Sequence, residues 1–65
     1  MNENLTLKSV RAMRGLSQSA LAGMIGVDRA TIINWEKGRT IPTVDYAIAI
    51  ADALAYPINN IKWVL

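Results

Sequence analysis

Apolar residues recur along this chain with a helical period that breaks at Gly15, Gly26, Gly38 and Tyr56-Pro57. Leu7, Val10 and Met13 predict a first helix over about Thr6 to Arg14, with these three inward and Asn4 or Thr6 as its cap. Ser17 caps a second helix, Gln18 to Ile25, whose apolar stripe is Leu21, Ala22 and Ile25. Gly26 ends it in the left-handed conformation that glycine adopts without penalty. Asp28 then has the chemistry of an N-cap, its carboxylate facing the free N–H groups of a third helix from Arg29 to about Lys37. Thr43 caps a fourth helix with Val44, Ala47, Ile50, Ala51 and Leu54 on its inner stripe. Tyr46, Ile48 and Ala49 fall off that stripe. A short fifth helix, from Ile58 or Asn59 to Trp63, brings Ile58 and Ile61 to the core and leaves Trp63-Val64-Leu65 exposed. The expectation is therefore a compact all-α, five-helix domain filling residues 1–65, with its core in 5–62.

Only Gly26, Val27 and Asp28 separate the second and third helices, which makes the pair a helix-turn-helix. A plain αα-hairpin has the same pattern, but a solvated outer face normally mixes acids with lysines. With Ile32 and Trp35 inward, the third helix instead turns Arg29, Ala30, Ile33, Asn34 and Lys37 outward. Guanidinium, amide and ammonium groups beside a bare isoleucine are the groups that read base edges and phosphates.

The stretch resembles the helix-turn-helix of the Xre family, the phage Cro and repressor type. The likeness runs through Leu16-Ser17-Gln18, Leu21-Ala22, Gly26-Val27, Thr31-Ile32 and Trp35-Glu36-Lys37-Gly38-Arg39, and continues in Ile41-Pro42-Thr43-Val44 and Ile50-Ala51-Asp52-Ala53-Leu54. It implies a lambda-repressor-like fold whose third helix lies in the major groove of double-stranded DNA. Carried over by position, Arg29, Ala30, Ile33 and Asn34 would read bases: arginine a guanine, Ala30 and Ile33 thymine methyls, Asn34 an adenine. Gln18, Lys37, Arg39 and Thr40 would hold phosphates, and Thr31 either holds one or packs the helix. The resemblance also pairs Arg11 with Glu36, tying the first helix to the end of the third. The chain departs from the family pattern at Ala55, where a glycine is expected, and at Pro57, where a capping serine is expected. An alanine in a left-handed turn is strained, so that corner is expected to differ.

Composition narrows the function class. The chain has 65 residues, so one core, yet 52% of it is apolar, more than one small core needs. The surplus points to a second subunit, with Tyr46, Ile48, Trp63, Val64 and Leu65 as its surface. Six of the seven bases (Lys8, Arg11, Arg14, Arg29, Lys37 and Arg39) fall within residues 1–39, so one side faces a polyanion. Cysteine and histidine are absent and the five carboxylates are scattered, which argues against an enzyme, a metal centre or a cofactor. Neither a membrane span nor a signal-peptide pattern is evident, so a cytoplasmic protein is expected. The reading is a sequence-specific regulator, a repressor in type, acting as a homodimer on an inverted-repeat operator. The alternative is a protein-interaction module of the same fold, serving as an antitoxin or binding an antirepressor.

Overall fold

The computed structural model describes residues 4–64; Met1–Glu3 and Leu65, the last of the five expected dimer contacts, lie outside the described residues. Four helices occur in the expected places: α1 (Leu7–Met13), α2 (Gln18–Ile25), α3 (Arg29–Glu36) and α4 (Val44–Leu54). Their common core is built from Leu7, Val10, Leu21, Ala22, Ile32, Trp35, Ile50, Ala51, Leu54 and Ile61. Val10, Leu21, Ile32 and Ile50 are wholly buried, one from each helix, so every helix puts a branched aliphatic side chain into the centre.

Local chemistry explains where the helices begin and end. Thr6 Oγ1 accepts from the Ser9 N–H at 3.1 Å, and Ser17 Oγ from the Ala20 N–H at 2.9 Å. Asp28 and Thr43 occupy the N-cap positions of α3 and α4 in extended conformation, but neither side chain makes the capping bond expected of it. All four helices end on a left-handed residue: Gly15, Gly26, Gly38 and Ala55. Beyond each, the chain turns back so that the next N–H reaches a carbonyl of the last turn, as Val27 to Ala22 at 3.0 Å and Arg39 to Asn34 at 2.9 Å.

The fifth helix is not formed. Ile58–Asn60 makes a single 3₁₀ turn and Ile61–Lys62 then extends as strand β2. It pairs in parallel with β1 (Leu5–Thr6), Leu5 opposite Ile61 and Thr6 opposite Lys62. Ile61 reaches the core as expected, but by strand pairing across the whole chain. Three other side chains differ from expectation. Met13 is 52% and Val44 73% exposed, because each sits at a helix end that projects past the core. Trp63 is half-buried against the core, its indole N–H donating to the Ile58 carbonyl at 3.1 Å.

At the C-terminus of α4, Ala55 does adopt the left-handed conformation (φ 52°). The Tyr56 N–H bonds to Ala51 O at 3.1 Å, and the Arg14 guanidinium takes the carbonyls of Leu54 (2.6 Å) and Ala55 (3.0 Å). Arg14 also lies over the Tyr56 ring, 5.9 Å from its centroid. A cation at the C-cap of α1 thus satisfies and electrostatically favours the C-terminal end of α4.

Candidate nucleic-acid interface

The helix-turn-helix is anchored from within. Leu21 and Ala22 of α2 meet Ile32 and Trp35 of α3, while Val27, the residue after the glycine turn, packs half-buried against the same core. That contact, with the Val27–Ala22 bond, fixes the direction in which α3 leaves the turn.

With Ile32 and Trp35 committed inward, the opposite side of α3 is presented to solvent. Arg29 and Ala30 are exposed at its first turn; Thr31, Ile33 and Asn34 are half-buried along it. Lys37, Arg39 and Thr40 follow as exposed residues of the next loop. The structure therefore leaves the expected base and phosphate residues of this segment exposed or half-buried along α3 and the loop that continues it. Gln18, the first residue of α2, stands apart from them in sequence but touches the end of α3 through Glu36.

Glu36 is an acid within a helix otherwise outwardly cationic, and its carboxylate is turned inward. Arg11 Nε donates to Glu36 Oε2 at 2.5 Å and Nη2 to Oε1 at 3.2 Å; Gln18 Nε2 donates to the same Oε1 at 3.1 Å. Nη1 of Arg11 takes the Leu16 carbonyl at 2.7 Å, binding the α1–α2 loop into the same group. The Glu36 side chain is 3% and that of Arg11 12% exposed, so the pair is partly desolvated and each charge needs the other. Its effect on the surface is that Glu36 does not oppose Arg29, Lys37 and Arg39. The expected Arg11–Glu36 pair is present. The Gln18 bond to it and the carbonyl clamp of Arg14 leave no mark in the sequence; neither short-range spacing nor helix periodicity carries such a signal. One further bond lies on the outward face: Arg39 Nη1 donates to Asn34 Oδ1 at 3.3 Å.

A helix-turn-helix family model matches residues 7–61, which takes in all four helices and the 3₁₀ turn. The chain belongs to the Xre-type helix-turn-helix family. Among relatives of similar length, it is 42% identical over 55 residues to an uncharacterised HTH-type transcriptional regulator of Methanocaldococcus jannaschii, covering 85% of this chain and 83% of that one. It is 33% identical over 57 residues to the uncharacterised HTH-type transcriptional regulator YgzD of Bacillus subtilis, covering 88% and 86%. A longer HTH-type protein of Pyrococcus abyssi is 37% identical over 60 residues, 86% of this chain, and the match spans 19% of that protein's length. The family is thus one of helix-turn-helix transcriptional regulators.

The other expected surface is divided. A shallow apolar groove runs between the start of α4 and the C-terminal segment, with Ile41, Pro42, Val44, Ile61 and Trp63 among its walls. Tyr46, Ile48 and Val64 are exposed but are not among the groove's described walls, and the Tyr46 ring leans on Trp35 at 5.6 Å. Of the described residues expected at a dimer contact, then, only Trp63 joins the groove. No helix among the described residues is long and apolar enough to cross a membrane, and no cluster of three metal-ligating side chains is present among them.

Proposed function

We propose that this chain binds double-stranded DNA sequence-specifically and regulates transcription, as a repressor, by occupying an operator. The observation that carries the reading is the outward side of α3. It turns Arg29, Ala30, Ile33 and Asn34 to solvent and continues into Lys37, Arg39 and Thr40, while its one acid is neutralised on the inner side by Arg11. In this reading α3 enters the major groove, Arg29 bonds guanine, and Ala30 and Ile33 meet thymine methyls. Asn34 reads a further base pair. Lys37, Thr40 and Thr31 hold the backbone. Gln18 joins them through its second amide hydrogen, since Nε2 has two and Glu36 takes one.

One α3 spans only a few base pairs, so two copies act together on an inverted repeat, their α3 helices about 34–36 Å apart. Exposed Ile41, Val44, Ile48 and Val64, with Trp63 in the groove, supply apolar surface for that contact, on the part of the chain poorest in bases. The same groove favours, as a second reading, a module that binds another protein.

Selection of sites from random duplexes, followed by a salt titration on the selected site, tests the proposal. An inverted repeat should emerge, and log K should fall against log salt with a slope of about −0.9 per phosphate held. Failure to enrich any sequence, with affinity flat in salt, would remove the DNA reading and leave the protein-binding one.

A further inference from the structure

The bond between Arg39 and Asn34 changes what Asn34 is able to read. Gly38 (φ 75°) reverses the chain after α3, and the Arg39 N–H is fastened to the Asn34 carbonyl at 2.9 Å. The Arg39 side chain is thereby returned alongside α3, where Nη1 donates to Asn34 Oδ1 at 3.3 Å. Two independent bonds, one main-chain and one side-chain, join the same two residues. The side-chain bond also sets the amide's orientation: Oδ1 faces the guanidinium, so Nδ2 and its two hydrogens point away from it.

An asparagine free to rotate bonds adenine by donating to N7 and accepting from the N6 amino group. Here one of the two lone pairs of the accepting atom is engaged by a cation, and an adenine amino group approaching the other would meet the guanidinium N–H donors beside it. Guanine offers acceptors at both N7 and O6. We infer that Arg39 is a specificity-determining partner of Asn34, the two forming one cationic reader dominated by donors that selects guanine over adenine. This rests on the reading of α3 as the major-groove helix, and it replaces the adenine expected from Asn34 alone. Arg39 acts on the base through Asn34 as a positioning residue and through its own remaining N–H groups as a donor.

The experiment begins with sites selected from random duplexes by the wild-type protein. The base pair whose preference Asn34→Ala abolishes is identified, and all four base pairs at that position are assayed with wild type, Arg39→Ala and Asn34→Ala/Arg39→Ala. Wild type should favour guanine over adenine there by about tenfold or more. Arg39→Ala should erase that preference or turn it toward adenine, leaving preferences elsewhere in the site unchanged. The double variant should match Asn34→Ala in preference. An unchanged thermal melt of Arg39→Ala separates this from a loss of fold. The inference is overturned if wild type selects adenine at that position, if Asn34→Ala relaxes no position, or if Arg39→Ala weakens every site equally. The last result, with the salt slope reduced by about 0.9, would make Arg39 an ordinary phosphate contact while the DNA reading stands. Absence of any selected site would overturn both.

Discussion

Replacing Arg11 with methionine should do more damage than replacing its partner, Glu36. Methionine keeps the aliphatic stem but removes three hydrogen bonds: two to Glu36 and one to the Leu16 carbonyl. The Glu36 carboxylate, 3% exposed, is then left with the neutral Gln18 amide alone. Isolating one member of a desolvated pair costs about 3–5 kcal/mol. For a chain of 65 residues, total stability at ordinary values is about 3–10 kcal/mol, so the variant sits at or near the edge of unfolding. Glu36→Gln is milder, because the Arg11 side chain is 12% exposed and keeps Leu16 O. Its cost is that of weakened charge-assisted bonds, about 1.5–3 kcal/mol. The variant Arg11→Met/Glu36→Gln, with neither charge left buried, should recover much of the loss. Urea denaturation followed by far-ultraviolet circular dichroism reads all four proteins. With a slope of about 1 kcal/mol per molar urea, the Arg11→Met midpoint falls by several molar, and a stabilising osmolyte brings a marginal variant back into range. The expected coupling is about 2 kcal/mol or more. A cycle additive within about 0.5 kcal/mol would show two independent surface charges and refute the reasoning.

At the end of α4, Ala55→Gly should stabilise the protein by about 0.5–1 kcal/mol, the left-handed penalty outweighing the added chain entropy, and raise the melting temperature by a few degrees. A lowered melting temperature would contradict this. Arg14→Ala removes both carbonyl bonds there and should cost about 1 kcal/mol or more by the same melt; no change would mean that the clamp is idle. Arg29→Ala should cost about 1–3 kcal/mol on the selected site and relax one base pair, whereas Lys37→Ala should weaken selected and scrambled duplexes alike; the reverse pattern would mean a different docking of α3. Removal of Trp63 to Leu65 should abolish the proposed dimer, measured as mass in solution with and without the selected site. A truncated protein that still dimerises would place the interface elsewhere.

Where the physics was local, the sequence carried most of the fold, the side-chain capping bonds of Asp28 and Thr43 excepted. Helix starts at Thr6 and Ser17, the helix ends at Gly15, Gly26 and Gly38, and the inward pair Ile32–Trp35 each depend on residues within one or two turns. The Arg11–Glu36 pair spans 25 positions and was legible through family resemblance alone. The C-terminal segment departs from its helical expectation for a related reason. Ile58 to Trp63 has apolar spacing compatible with a helix, but its fate is decided by Leu5 and Thr6, more than fifty residues away. Met13 and Val44 obey the right period at positions where the helix has already left the core. The outward face of α3 was legible as composition; the bonds that orient it, Gln18 to Glu36 and Arg39 to Asn34, depend on rotamers that no spacing rule encodes.

The pairing of β1 with β2 makes the two ends of the fold a single latch. Closing a loop from Leu5 to Ile61 costs about 3.5 kcal/mol in chain entropy, whereas each helix and its turn close over a few residues. Folding should therefore bring α1 to α4 together first and fasten the latch last, and the latch should be the first part to open. Since Trp63 is continuous with β2, trimming the chain through Thr6 would loosen the wall of a groove that lies at the other end of the sequence. In hydrogen exchange under native conditions, the paired amides of the two strands should open as one unit, at lower free energy than those of α3. Helix α3 would stay ordered while the groove wall proposed for a second copy came and went.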